Sequence, residues 1–198
     1  MLIKGKKLKE VASRVKAVAM DVDGCLLPDV ECLLPAEQVA KFRSRVDGQG
    51  VSLMRAIGLS VVFITAEKKG TPGFEPIKRL VDNWNRLPSS QINKGDNHWP
   101  MVELFGGKDT QSKGDILTAW LKEKKIKVEE CAVMGDDLVD VPMLKIGGFK
   151  VAPVSAENTI KELADWVTDR PGGFGAVRDL ANLLVSVKKI DPYSLPCK

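Results

Sequence analysis

Five aspartates in two short runs carry the chemistry of this chain. Asp21 and Asp23 stand in Asp21-Val22-Asp23-Gly24. Asp136, Asp137 and Asp140 stand far downstream in Gly135-Asp136-Asp137-Leu138-Val139-Asp140. Each run follows an apolar stretch, residues 15–20 before the first and 131–134 before the second. Apolar stretches of this kind read as parallel strands buried on both faces. Acidic groups at their carboxyl ends converge on the edge of an open α/β sheet, where such folds bind ligands. Carboxylates crowded without a cation repel strongly, so the arrangement implies a bound hard metal, most simply Mg²⁺.

Two further residues complete a set in fixed order. Thr65 ends the apolar run 59–65, and Lys113 opens an amphipathic segment. Asp21 and Asp23 are two apart, so in extended chain both side chains point the same way, and Gly24 permits a sharp exit turn. One carboxylate of such a pair can attack phosphorus, while the other protonates a leaving alcohol and later activates water. A hydroxyl at Thr65 can hydrogen-bond a phosphoryl oxygen. An ammonium at Lys113 and a cation held by Asp21 and Asp136 can neutralise the charge that spreads in the transition state.

The elements that must position these groups alternate in type. Strands are expected at 16–21, 59–65, 101–105, 131–134, 149–152 and 166–168, and helices at 50–57, 75–84, 113–125, 139–146, 157–164 and 175–187. That alternation predicts an α/β, doubly wound parallel sheet covered on both faces. A small hairpin is expected within residues 25–35, with Leu26-Leu27 and Cys32-Leu33-Leu34 flanking a turn at Pro28-Asp29. Such an apolar hairpin needs cover, which a second subunit can supply. Residues 70–107 read as an irregular insertion holding one helix, with a loop at 86–100, and 191–198 as a loose tail. One domain over 1–198 is expected, since 44% hydrophobic content in 198 residues suffices for a single core.

The order D-x-D-G, Thr after a strand, Lys, then G-D-x-x-x-D resembles the haloacid dehalogenase superfamily of phosphatases. The resemblance implies Asp21 as nucleophile and Asp23 as general acid/base with its carbonyl on the metal. It further implies Thr65 and Lys113 on the phosphoryl group, Asp136 as a metal ligand, and Asp137 and Asp140 as supports. A narrower match involves Phe42-x-x-Arg45-Val46-Asp47-Gly48-x-Gly50, G-D-D-L-x-D and Gly172-Gly173-Phe174-Gly175-Ala176-Val177-Arg178. Together these look like the 3-deoxy-manno-octulosonate (KDO) 8-phosphate phosphatase branch. That branch implies a capless fold and a homotetramer, with the hairpin and a neighbour's C-terminal segment closing the site. Arg45 and Arg178 then become candidates for substrate contact.

The chain departs from the branch at its second motif, Thr65-Ala66-Glu67, where Thr-Gly-Arg is usual. A Glu followed by Lys resembles related enzymes acting on 9-phosphorylated nonulosonates. Ala66 and Glu67 are therefore candidate specificity residues, because an anion replaces a cation where the sugar end should lie. Phe174 also stands where a polar residue is common. The implied substrate is a phosphorylated sugar acid, either KDO 8-phosphate or a nonulosonate 9-phosphate.

Composition narrows the partners. A net charge of +4 and lysine clusters at 4–9 and 122–127, with only one Tyr and four Trp, argue for solvated helix faces rather than a nucleic-acid surface. No run approaches the roughly 20 apolar residues of a bilayer span, and no leader is visible, so no membrane partner and a cytoplasmic location are expected. Cys25, Cys32, Cys131 and Cys197 form no C-x-x-C, and His98 is the sole histidine, which argues against a histidine phosphatase or His-rich zinc site. Two other readings compete. A phospho-acceptor receiver domain also combines acidic residues, Thr and Lys, but in another order and without an acid/base such as Asp23. A non-catalytic oligomerisation module tends to lose the Asp pair, which is intact here.

Overall fold

The computed structural model describes residues 2–36, 38–91, 98–107 and 110–195. In chain order the elements are α1 (Gly5–Ser13), β1 (Ala17–Met20), β2 (Glu31–Leu34), β3 (Gln38–Lys41), α2 (Arg45–Ala56), β4 (Ser60–Lys68), α3 (Phe74–Asn85) and α4 (Pro88–Gln91). There follow β5 (Val102–Gly107), α5 (Lys113–Lys124), β6 (Cys131–Met134), α6 (Val141–Leu144), β7 (Phe149–Ala152), α7 (Asn158–Leu163), β8 (Trp166–Val167) and α8 (Ala176–Val187). A parallel sheet of six strands runs β5-β4-β1-β6-β7-β8, and β2 and β3 pair separately as an antiparallel hairpin. The doubly wound α/β architecture expected from the sequence is therefore present.

The two faces of the sheet follow from the two-residue period of its strands. Val18, Met20, Val61, Phe63, Ala132 and Met134 turn to one core, shared with α2, α3 and α8. Ala17, Ala19, Val62, Ile64, Cys131 and Val133 turn to the other, where Ile116, Leu117 and Trp120 of α5 cover them. Both faces are buried, which is why the central strands read as unbroken apolar runs. Met20 is in register with Phe63 of β4 and Met134 of β6, so the residues that follow these strands leave the sheet at one edge.

The hairpin lies further along than expected. Leu26 and Leu27 belong to the core, 2% and 3% exposed, and donate their backbone N–H groups to the Val22 carbonyl. Cys32 and Leu33 pair instead with Ala40 and Val39. Burial of Leu26 and Leu27 removes them from the hairpin, and the strand that follows Leu34 takes their place. The helix expected from residue 50 begins at Arg45, because Ser44 caps it by accepting from the Asp47 N–H at 3.1 Å. Gly50 looked like a boundary but is interior. A Cβ there would come within 2.9 Å of the Arg178 backbone, so it permits the close crossing of α2 and α8.

Within 70–107 more is regular than expected. α3 matches the expected helix, and α4 occupies part of the expected loop 86–100, of which 92–97 lie outside the described residues. Buried Arg55 of α2 ties this region down, donating to the carbonyls of Pro100 at 2.6 Å and Trp84 at 3.3 Å. Helix 139–146 is shorter than expected, a 3₁₀ turn at Leu138–Asp140 leading into α6. Of the tail, Pro192–Ser194 forms a 3₁₀ turn, and 196–198, with Cys197, lie outside the described residues.

Candidate active site

At the carboxyl edge of the sheet the two aspartate runs meet. The Asp21 N–H donates to the Met134 carbonyl at 3.0 Å, continuing the pairing of β1 with β6 past the end of the strands. Asp21, Asp136 and Asp140 offer carboxylate oxygens that all lie within 4.8 Å of one another. Gly24, at φ +79°, leaves room for this: a Cβ there would fall 1.9 Å from Asp136 Oδ2. Lys113, the first residue of α5, reaches into the group. Its Nζ lies 2.7 Å from Asp21 Oδ1 and 2.7 Å from Asp140 Oδ1. Ser112 and Asp115 fix that helix start in a reciprocal capping box, which aims the lysine.

Asp140 does not face the cleft. It is fully buried, and its Oδ2 accepts from the backbone N–H groups of Asp136 at 2.9 Å and Asp137 at 3.4 Å. It therefore holds both the loop that carries Asp136 and the lysine that faces Asp21. Asp137 is exposed, accepts from the Leu138 N–H at 2.6 Å, and points along the rim.

β4 outruns its expected end at Thr65 and continues to Lys68 through a register irregularity beside β5. Glycines make this possible: a Cβ at Gly107 would lie 2.2 Å from the Ala66 carbonyl oxygen. Thr65, Ala66 and Glu67 are thereby carried to the rim of a cleft of about 210 Å³, also lined by Asp21, Asp23, Asp29, Asp136, Asp137 and Val139. Glu67 is held in place by the Thr71 hydroxyl, which donates to its Oε2 at 3.0 Å.

Electrostatics inside the cleft are severe. Burial, then the charge of Asp140, pushes the Asp21 carboxyl up to about 8 despite the pull of Lys113. The same two causes push Asp136 up to about 7. Burial raises Asp23 as well, opposed by Lys41. A carboxyl raised in the folded state above its unfolded value of about 4 destabilises the fold progressively as pH rises from that value through the raised one. Metal-free protein is therefore expected to lose thermal stability between about pH 5 and pH 8, and a divalent cation to reverse the loss most strongly at the alkaline end. Melting curves in chelator and in excess Mg²⁺ across this range check it; parallel curves would contradict it.

The family model for haloacid dehalogenase-like hydrolases matches residues 74–176. The chain is also 31% identical over 176 residues, covering 88% of itself and 81% of the relative, to the 3-deoxy-D-manno-octulosonate 8-phosphate phosphatase of Salmonella typhi. It belongs to the haloacid dehalogenase-like hydrolases. Within them this hydrolase is a phosphatase. Its fold is shared with the phosphatase of the same name from Yersinia pestis, at TM-score 0.80 and 21% identity over 98% of this chain and 92% of that one. It is also shared with that from Moraxella catarrhalis, a complex with magnesium, phosphate and KDO, at TM-score 0.79 and 22% identity over 94% of each chain.

Two sequence candidates lie apart from the cleft of a single hydrolase chain. Arg45 is exposed on the first turn of α2. Arg178 donates through Nε to Asn182 of its own helix at 2.8 Å. Their neighbour Asp47 is buried, accepting from the N–H groups of Gly175 at 2.8 Å and Arg178 at 3.1 Å, so it caps the start of α8. The Gly172–Gly175 turn seats on its own chain: the Gly173 N–H donates to the Cys25 carbonyl at 2.8 Å, and Gly172 leaves no space for a Cβ against Gly24. It lines a second cleft that shares Asp29, Asp136 and Asp137 with the first, with Phe174 exposed at its side.

Sequence reasoning missed Lys41 and Asp29. Lys41, on β3, places its ammonium 2.8 Å from Asp23 Oδ1. With the hairpin assigned some residues too early, nothing marked that lysine as facing inward.

Proposed function

We propose that this hydrolase is a Mg²⁺-dependent phosphomonoesterase that cleaves a phosphorylated sugar acid through an aspartyl-phosphate intermediate. The observation that carries the reading is the convergence of Asp21, Asp23, Thr65 and Asp136 on one cleft, with Lys113 bonded between Asp21 and Asp140. The donor set suits a hard cation: carboxylate oxygens on Asp21 and Asp136, with the Asp23 carbonyl, match magnesium's preference for oxygen. The raised carboxyls supply the reason, since burial and the charge of Asp140 make both costly to ionise, a cost that a cation between them offsets. When bound, the ion supplies charge neutralisation for the phosphoryl oxygens.

A carboxylate oxygen of Asp21 attacks phosphorus while the bond to the leaving oxygen breaks, its electron pair departing with that oxygen. Asp23 delivers a proton to it. Water then attacks the phosphorus of the aspartyl phosphate and loses a proton to the Asp23 carboxylate, while the bond from phosphorus to the Asp21 oxygen breaks, restoring the Asp21 carboxylate and releasing inorganic phosphate. Thr65 holds a phosphoryl oxygen, and Lys113 offsets charge that grows on the transferring group.

The relatives from Salmonella typhi and Yersinia pestis are named for KDO 8-phosphate, which supports an eight-carbon acid. Glu67 at the rim supports a nine-carbon acid. At about 210 Å³ the cleft is smaller than the roughly 300–1,000 Å³ of pockets that enclose drug-sized ligands. The sugar end therefore extends past the rim toward the hairpin, where Leu33 and Phe42 are 80% and 61% exposed. A homotetramer that buries this hairpin and brings Arg45 or Arg178 of another copy to the sugar suits both facts. A cytoplasmic setting fits such a substrate; among the described residues no helix is long and apolar enough to cross a membrane.

Phosphate release from KDO 8-phosphate and from 9-phosphorylated nonulosonates, side by side with Mg²⁺ and Asp21→Asn as control, tests this reading. Turnover of either acid well above an aryl phosphate is expected. Turnover of the aryl phosphate alone would remove the sugar acid, and turnover of nothing would leave a structural module.

A further inference from the structure

Lys41 is placed with more care than a surface lysine needs. It ends β3, a strand whose other residues are partly or fully open, yet its own side chain is 3% exposed. Its ammonium meets three carboxylates from three parts of the chain. Asp23 Oδ1 lies at 2.8 Å, Glu67 Oε1 at 3.8 Å, and Glu31, directly across the hairpin from Lys41, completes the set. Hairpin register decides this aim, since a slip of one residue would turn Lys41 to the opposite face and bring Ala40 or Phe42 into its place.

We propose that Lys41 is a positioning residue for proton transfer by Asp23, delivered by the hairpin. The inference rests on the assignment of Asp23 as general acid/base made above. Asp23 leaves the sheet beside Gly24 and projects into an acidic cleft, where repulsion from Glu31 and Glu67 would turn its carboxyl away. A fixed ammonium at one oxygen holds it in the cleft, with the other oxygen toward the leaving group. When the P–O bond breaks and its electron pair leaves with the departing oxygen, the Asp23 proton passes to that oxygen. The new Asp23 carboxylate then already faces a cation. The pairing of Lys41 with Glu67 also makes the second-motif glutamate part of the same assembly.

Leaving-group dependence separates this role from a merely structural one. A p-nitrophenolate departs without help from an acid, whereas a sugar alkoxide needs a proton. The ratio of kcat/KM for the two substrates, at saturating Mg²⁺, should therefore move when Lys41 is changed. Lys41→Met is expected to lower kcat/KM about 10- to 100-fold for the sugar phosphate and by no more than about 3-fold for p-nitrophenyl phosphate. Lys41→Arg should recover most of the difference. Equal losses on both substrates, or none on either, would overturn the proposal. Should Lys41→Met fail to fold, Lys41→Gln and Lys41→Arg are read by the same ratio. If the wild type cleaves no sugar phosphate, the substrate reading has failed. The ratio is then taken between phenyl and p-nitrophenyl phosphate, whose leaving groups differ in the same sense.

Discussion

Asp21→Asn is expected to lower phosphate release by about 10⁴-fold or more, the scale seen when a covalent nucleophile is removed. The amide keeps the size of the side chain and can still accept from the Val22 N–H, which donates to Asp21 Oδ1 at 2.7 Å. It cannot form an acyl phosphate. Its effect on folding should run the other way. Burial and Asp140 push the Asp21 carboxyl up to about 8, so its charge opposes folding wherever pH exceeds the ordinary carboxyl range. In chelator at pH 8 the variant should melt no lower than the wild type, while the gain in melting temperature on adding Mg²⁺ should shrink. A variant that is inactive and also unfolded would say nothing of a nucleophile; one that is inactive, folded and weak in Mg²⁺ binding supports it. Retention of more than a few per cent of activity would remove Asp21 from the reaction.

Lys113→Met should damage both activity and stability. The ammonium is 7% exposed and makes 2.7 Å pairs with two carboxylates, one fully buried. Removing one partner of a buried ion pair typically costs about 3–5 kcal/mol, since the charge left behind has no compensation. The loss of a positioned cation at the reacting group lowers rate by a further factor of about 10²–10³. Asp140 is the reason the two effects arrive together. The same carboxyl that binds Lys113 also holds the Asp136 and Asp137 N–H groups, so losing the lysine loosens the loop carrying a metal ligand. Urea unfolding with and without Mg²⁺ checks the first effect, and steady-state kinetics the second. If Mg²⁺ restored full stability and full rate, Lys113 would be reduced to a counter-ion.

The central strands were legible because they are buried on both faces, so they appear as apolar runs too short for helices and bounded by turn residues. The hairpin was not, because Leu26 and Leu27 are apolar and stand beside the Pro28-Asp29 turn signal, so they read as one of its strands. Leu26 and Leu27 are core residues owing to their backbone bonds to Val22, a local fold that no periodicity announces. A glycine misled in the same way. Gly50 read as the start of a helix, whereas it sits inside α2 and lets the Arg178 backbone approach.

Asp21, Asp23, Thr65, Lys113 and the Asp136–Asp140 run were singled out by sequence alone, since each lies at or just beyond an end of an element whose type was plain. What the chain order could not say was who meets whom. Asp140 reads as a support without a stated partner, and the tertiary structure makes it the buried anchor of Lys113 and of the Asp136 loop. Arg45 and Arg178 read as substrate contacts, yet in one chain they lie away from the cleft, while Asp47 between them caps a helix distant in sequence. Lys41 carries no signal in the sequence and is the cation beside Asp23. Local pattern reports which face of an element is apolar. Contacts between charges far apart in sequence depend on register and packing, and these are settled only when the sheet and hairpin close.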